Sequence, residues 1–134
     1  MPQPQEDLAS YLEAQGHGVV GTDLFRGDLP DKDDGSLDNI VSVTDTGGLP
    51  NQLNDPIGGL EIISFQVLAR NRRQEQARQK LLDIQSELHQ LSNTDLGSFT
   101  VLSARAVDRP GIVRRDEKSR WLLVSNYEVM LRPS

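Results

Sequence analysis

The sequence predicts an α+β fold, a mostly antiparallel β-sheet with helices packed on one face, in the order α-β-β-β-α-β-β with long protruding loops. Three observations predict it. Two segments, near residues 5–15 and 71–91, repeat apolar residues at helical spacing and so each present one buried stripe. Several others alternate apolar and polar residues with the two-residue period of a strand. These strands follow one another through loops, which favours antiparallel neighbours. At 134 residues, 36% of them apolar and 25% charged, the chain is one domain spanning residues 1–134, with a thin core.

The first helix is expected over about Gln5 to Gln15. Pro4 suits an early helical position, Glu6 and Asp7 suit the positive first turn, and Gly16 supplies a stop. Leu8, Tyr11 and Leu12 form its apolar stripe. A turn at Gly16-His17-Gly18 leads to a short extended segment, Thr22 to Arg26. An acidic loop then carries Asp28, Asp31, Asp33, Asp34 and Asp38 within eleven residues, with Pro30 and Gly35 as breakers. The next strand is expected over about Asn39 to Asp45. Thr46 to Gly59, with four glycines and two prolines, is read as a long functional loop. Leu60 to Arg70 is the clearest strand, with Ile63, Phe65, Val67 and Ala69 on one face.

The longest helix is expected over Asn71 to Leu91. Ala77, Leu81, Ile84, Leu88 and Leu91 give it a narrow stripe suited to lying on a sheet, and Ser92-Asn93 ends it. Phe99 to Asp108 and Arg120 to Arg132 complete the sheet, with Trp121, Leu123, Tyr127, Val129 and Leu131 on one face of the last strand. The segment Arg109 to Ser119 between them is too long and too charged for a tight hairpin.

The same residues weigh against several classes of function. With no cysteine there is neither a disulfide framework nor a thiolate metal site. No stretch approaches the roughly 20 apolar residues of a membrane span. Met1 to Asp7 lacks the basic start and apolar centre of a signal peptide, so the protein is expected to act where it is made or in a particle assembled there. A net charge of −6 argues against a general nucleic-acid binder. It leaves room for a protein that DNA passes without sticking to.

Motif chemistry fails in context. Gly16-His17-Gly18-Val19-Val20-Gly21 spells G-x-G-x-x-G, but a helix leads in and an extended segment leads out, the reverse of what a pyrophosphate site needs. If Gly35 took the glycine place of a calcium loop, Pro30, Lys32 and Val41 would fall where ligands are required. His17 and His89 are far apart in sequence and have no cysteines to complete a zinc site. No G-x-S-x-G elbow occurs. No enzymatic activity, cofactor or metal is expected.

What remains is the distribution of charge. Arg70, Arg72, Arg73, Arg78 and Lys80 put five of fourteen basic residues into eleven positions at the start of the long helix. The helix dipole disfavours cations there. They form either an ordinary solvated face or a partner surface. The acidic run Asp28 to Asp38 would complement it, within the fold or across a subunit boundary.

In order along the chain, several short pieces resemble the minor capsid and tail-terminator proteins of siphovirus-type phages. They are Leu8 to Leu12, Gly18-Val19-Val20-Gly21-Thr22-Asp23-Leu24-Phe25, Asp28-Leu29-Pro30, Ile40 to Thr44, and Asp45-Thr46-Gly47-Gly48. Phe65-Gln66-Val67-Leu68-Ala69-Arg70, then Ala77, Leu81 and Leu88, then Arg115-Asp116-Glu117 continue the succession. The acidic loop is longer and more charged than the family pattern. The resemblance implies a structural protein of the virion tail or neck, assembled in the host cytoplasm. It would form a ring of copies of itself, usually sixfold, on the head-proximal end of the tail tube. Its further partners would be the tail tube protein and a head–tail connector or neck protein, with DNA passing through the lumen and no membrane involved.

On that expectation the arm Arg114-Arg115-Asp116-Glu117-Lys118 contacts the tube or a neighbouring subunit. The clusters Asp31, Asp33, Asp34, Asp38 and Arg70, Arg72, Arg73, Arg78, Lys80 contribute to ring contacts. The alternatives are another neck component, such as a head-completion or stopper protein, or a small ligand-binding α+β domain with a closed apolar pocket. A carboxylate hydrolase ranks below both, because no cleft for it is legible.

Overall fold

The computed structural model describes residues 4–27, 39–49, 61–116 and 119–133. Its elements are α1 (Pro4–Ala14), β1 (Leu24–Arg26), β2 (Ile40–Leu49), β3 (Glu61–Asn71), α2 (Gln74–Leu88), β4 (Ser92–Asp95), β5 (Phe99–Ala106), β6 (Gly111–Arg115) and β7 (Trp121–Pro133). The predicted α+β class and the order α-β-β-β-α-β-β are present, with β4 and β6 as two short additional strands. One sheet runs β1-β2-β3-β7-β5-β4, and β6 joins it on β7. All pairings are antiparallel except that of β1 with β2.

The centre of the sheet is the long β3–β7 pair, in unbroken register from Glu61↔Leu131 to Asn71↔Trp121. Period-two alternation puts Ile63, Phe65, Val67 and Ala69 on the same face as Val129, Tyr127 and Leu123, all buried. The predicted stripe of α2, Ala77, Leu81, Ile84 and Leu88, lies against that face and is fully covered. Leu8, Ala9 and Leu12 of α1 complete the core. At 134 residues this single helix-covered face is the main store of stabilising burial, at about 25 cal/mol per Å² of apolar surface removed from water.

α1 ends as the sequence predicts. Gly16 takes φ +88°, its N–H reaches the Glu13 carbonyl, and the His17 N–H reaches that of Leu12. These two bonds are a Schellman closure, which a residue with Cβ adopts only under strain. Gly18 serves a close approach, since a Cβ there would stand 3.0 Å from the Asp23 carboxylate and the Leu24 Cβ. The G-x-G-x-x-G string is therefore a helix stop and a tight turn into β1. The first turn of α1 also ties two distant parts of the sheet together. Gln5 accepts a hydrogen bond from the Asp45 N–H of β2, and Asp7 accepts one from the Ser98 N–H before β5.

Three boundaries differ from expectation. β2 continues to Leu49, four residues into the segment read as loop, past a bulge between Asp45 and Gly47 that keeps it paired with β3. α2 is shorter at both ends, because Asn71 stays in β3 and its side chain accepts the Arg73 N–H while donating to Asn39. The segment Arg109 to Ser119 contains β6, whose partner is the start of β7. The acidic residues Asp31, Asp33, Asp34 and Asp38, the chain from Pro50 to Leu60, and Glu117 and Lys118 lie outside the described residues.

Candidate assembly surface

Strand register decides which charged residues meet. β6 pairs with β7 so that Arg115 stands beside Trp121, and Trp121 stands beside Asn71 of β3. Asn71 then bonds Asn39 at the start of β2. One row across the sheet thus brings Arg114 and Arg115 to the same end as Arg72 and Arg73, which open α2. Two basic groups some forty residues apart in sequence share one rim of the fold. The acidic segment 28–38 rejoins the described chain at Asn39, on the same row.

The members of the basic cluster have different situations. Arg72 and Arg73 are exposed. Arg73 is the N-cap residue of α2, with extended backbone (φ −108°, ψ 122°) and no side-chain capping bond. Arg78 is half-buried and donates from Nη1 to the Pro110 carbonyl at 2.9 Å, which pins the chain entering β6. Lys80 is half-buried. Arg70 is 4% exposed, on the sheet face away from the helices, in the row of Ile40 and Leu122. At that exposure Arg70 offers little surface of its own.

The β6–β7 hairpin is firmly built. The Asp116 carboxylate accepts the Arg120 Nε–H at 2.7 Å and the Arg120 backbone N–H at 2.9 Å. Arg120 is only 2% exposed. A buried ion pair of this kind contributes fixed geometry more reliably than net stability. The Arg115 guanidinium lies 5.3 Å from the centre of the Trp121 ring, a cation–π distance. Upstream, Asp108 accepts both the backbone and side-chain N–H groups of Asn126. Between these anchors Ile112 and Val113 are about half exposed, 48% and 50%. A bulge between Ile112 and Arg114 aims both outward. Composition alone did not reveal them. The legible signal was a short β-branched pair enclosed by arginines.

A cleft of about 290 Å³ opens between the α1–β1 turn and α2, lined by His17, Asp23, Asn71, Gln79, Lys80 and Asp83 among others. It is open and polar, unlike the sealed apolar pocket expected of a ligand-binding domain. Beside it the His17 ring meets Glu87 at 3.1 Å, and the Tyr11 hydroxyl donates to the other Glu87 oxygen at 3.4 Å. Burial first, then the Glu87 charge, pushes the Tyr11 phenol above its ordinary range. This cluster ties α1 to α2. His89 is the C-cap of α2 at this same end, and its Nε2 accepts the Ala106 N–H. Among the described residues no three acidic or histidine side chains are grouped to hold a metal ion, and no helix is long and apolar enough to cross a membrane.

The sequence profile of the family described as bacteriophage tail terminator protein matches residues 11–132. The chain belongs to that family. It is accordingly a structural phage protein of the tail or head–tail region. The tail-terminator chain is also similar in fold to a chain in the solved virion of a native gene transfer agent particle. The TM-score is 0.64 at 14% identity, covering 94% of this chain and 93% of that one. A comparison with curated proteins finds no match.

Proposed function

We propose that this tail terminator forms a closed ring, sixfold in the usual case, on the head-proximal end of the tail tube. There it stops tube polymerisation and offers the surface to which the neck of the capsid attaches. The observation that carries this reading is the family match across nearly the whole chain. The shared rim of Arg72, Arg73, Arg114 and Arg115 supplies a basic surface that suits an acidic partner, with Arg73 at the positive end of α2 where a cation is disfavoured. A ring requires two different patches on each copy that meet head to tail and close. The acidic run containing Asp31, Asp33, Asp34 and Asp38 is the complementary patch. The arm Arg114-Arg115-Asp116-Glu117-Lys118 contacts the tube or a neighbouring subunit. DNA passes the lumen of an acidic ring with few cations to hold its phosphates.

Position in particles tests the proposal. Tails purified from a host strain that makes no heads are expected to carry the protein at one tip, and negative-stain images of the purified protein are expected to show rings with a central hole. Head-free tails lacking it, with the protein found on capsid necks instead, would make it a head-completion or stopper component.

A further inference from the structure

The geometry points to a specific junction between copies: the outer edge of β6 in one copy pairs antiparallel with the outer edge of β2, at Thr46–Leu49, in the next. It rests on the ring assembly proposed above and names the strands that would build it.

Strand ends of the sheet motivate the pairing. Among the described residues β6 pairs with β7 alone, so its other side presents unpaired backbone groups, the usual template for strand addition. At the opposite side, β1 covers β2 only from Val41 to Val43. The Asp45 N–H is taken by Gln5 and the Gly47 N–H by the Asp45 carboxylate, and among the described residues Thr46–Leu49 pair in the sheet with β3 alone. The two open edges therefore lie on opposite sides of the sheet, as a head-to-tail contact requires.

Direction agrees. β3 runs opposite to both β2 and β7, and β6 runs opposite to β7. β6 and β2 therefore point in opposite directions within one copy. When copies share an orientation around a ring axis, β6 of one meets β2 of the next antiparallel, the pairing that dominates this sheet.

A register that suits closure is available. Ile112 shares a row with Leu123, Ala69 and Val41. Setting it instead beside Gly47 of the next copy shifts the register by about five rungs over four strands. At about 3.3 Å per residue and 4.8 Å per strand this slope is about 41°, within the range of about 35–45° at which closed sheets tilt.

Charge identifies the occupant as a second copy. Residues 105–115 hold four arginines and one aspartate, and they contain Val107, Ile112 and Val113, three of the five exposed large hydrophobics of the described chain. The sequence from Asp23 to Glu61, which contains and flanks β2, holds nine acids and two bases. An apolar strand edge among arginines thus complements in charge the acidic sequence that contains and flanks β2.

The cysteine-free chain makes the test direct. Full-length protein carrying both Ile112→Cys and Thr46→Cys is treated with a short bis-maleimide and run on a denaturing gel. Expected is a ladder of dimers, trimers and higher multimers, with a mixture of the two single variants stopping at dimers. A double variant that stays monomeric at millimolar concentration overturns the junction, as does dimerisation of Ile112→Cys alone. Wild-type rings in negative stain without this ladder would overturn the junction and leave the ring standing. A ladder without rings supports the junction and overturns closure. As a folding control, Ile112→Lys is expected to keep the wild-type melting temperature and lose the multimers.

Discussion

Replacing Arg73 with serine is expected to stabilise the isolated chain and weaken its assembly, two effects that a purely structural arginine would not separate. Arg73 occupies the N-cap of α2 with the extended backbone that a capping residue adopts, yet its side chain caps nothing. Serine there would accept an N–H of the first turn. Because Gln76 stands three residues on, the variant would also acquire the pattern of a capping box. A cap contributes about 1 kcal/mol. Removing an exposed cation from the positive end of a helix contributes about 0.3–1 kcal/mol more at low salt.

The expected gain is therefore about 1.5 kcal/mol. With an unfolding entropy of about 2.1 cal/mol/K per residue over the whole chain, this raises Tm by about 5 °C. Urea or thermal unfolding followed by circular dichroism at low protein concentration measures it. Raising the salt removes the dipole part and leaves the capping part, so the gain is expected to shrink by about a third. Sedimentation velocity at high concentration, or decoration of tail tubes, measures assembly. A variant that unfolds more easily than wild type would show that Arg73 has an intramolecular task. A stabilised variant that assembles as well as wild type would show that the cation is not kept for a partner. Either result refutes the reasoning.

Asp116→Ala removes an acid bonded to a 2%-exposed arginine and is expected to cost about 3 kcal/mol in a urea titration. Tyr127 is fully buried and its hydroxyl makes no well-formed hydrogen bond among the described residues, with only the Ser125 side chain as a weak polar neighbour, so Tyr127→Phe is expected to leave Tm unchanged or raise it. Burial, the largest cause, raises the Tyr127 phenol above its ordinary value near 10, so the fold favours the neutral form. That contribution is complete below pH 10 and is lost above it, and the phenylalanine variant is expected to resist alkaline unfolding better than wild type. Burial likewise raises the Asp7 carboxyl, against the Ser98 N–H bond that lowers it. Its protonated form is favoured by folding, so this contribution is full below pH 3.8 and lost as pH rises. Asp7→Asn is expected to be at least as stable as wild type at pH 7, with the difference vanishing in acid. Phe65→Ala in the centre of the core is expected to cost about 3–5 kcal/mol, read from the same titrations.

The core was legible because burial imposes a period. Ile63 to Ala69, Ala77 to Leu88 and Leu123 to Leu131 carry the spacing of their elements, and the structure buries the positions that the spacing selects. Boundaries were less legible. Gly47 and Gly48 mark a loop by propensity, but the ladder to β3 outweighs propensity and holds them in β2. β6 was missed because proline, glycine and charge around Ile112 and Val113 mask a five-residue strand. It exists because Arg78 pins Pro110 and Asp116 holds Arg120, contacts that span 32 and four residues respectively. The clustering of Arg72 and Arg73 with Arg114 and Arg115 was not legible at all. It follows from the register of three strands, and register is a tertiary property.

Local rules broken together at one place carry more information than any one exception. A sequence selected only for a stable and solitary chain would place an acid or a capping residue at position 73 and a charge at the open edge in place of Ile112. It would not need a buried arginine to fix a surface hairpin. All three departures occur at the rim defined by the Arg115, Trp121 and Asn71 row, while α1 is conventional, with acids in its first turn and a Schellman closure at its last. Natural chains depart from local consistency where function requires it. If the departures were accidental, repairing them would raise stability and change nothing else. If the rim is an assembly surface, the same repairs stabilise the monomer and abolish the particle-bound state. Combining Arg73→Ser with Ile112→Lys is expected to give the more stable of the two proteins and the one that does not assemble.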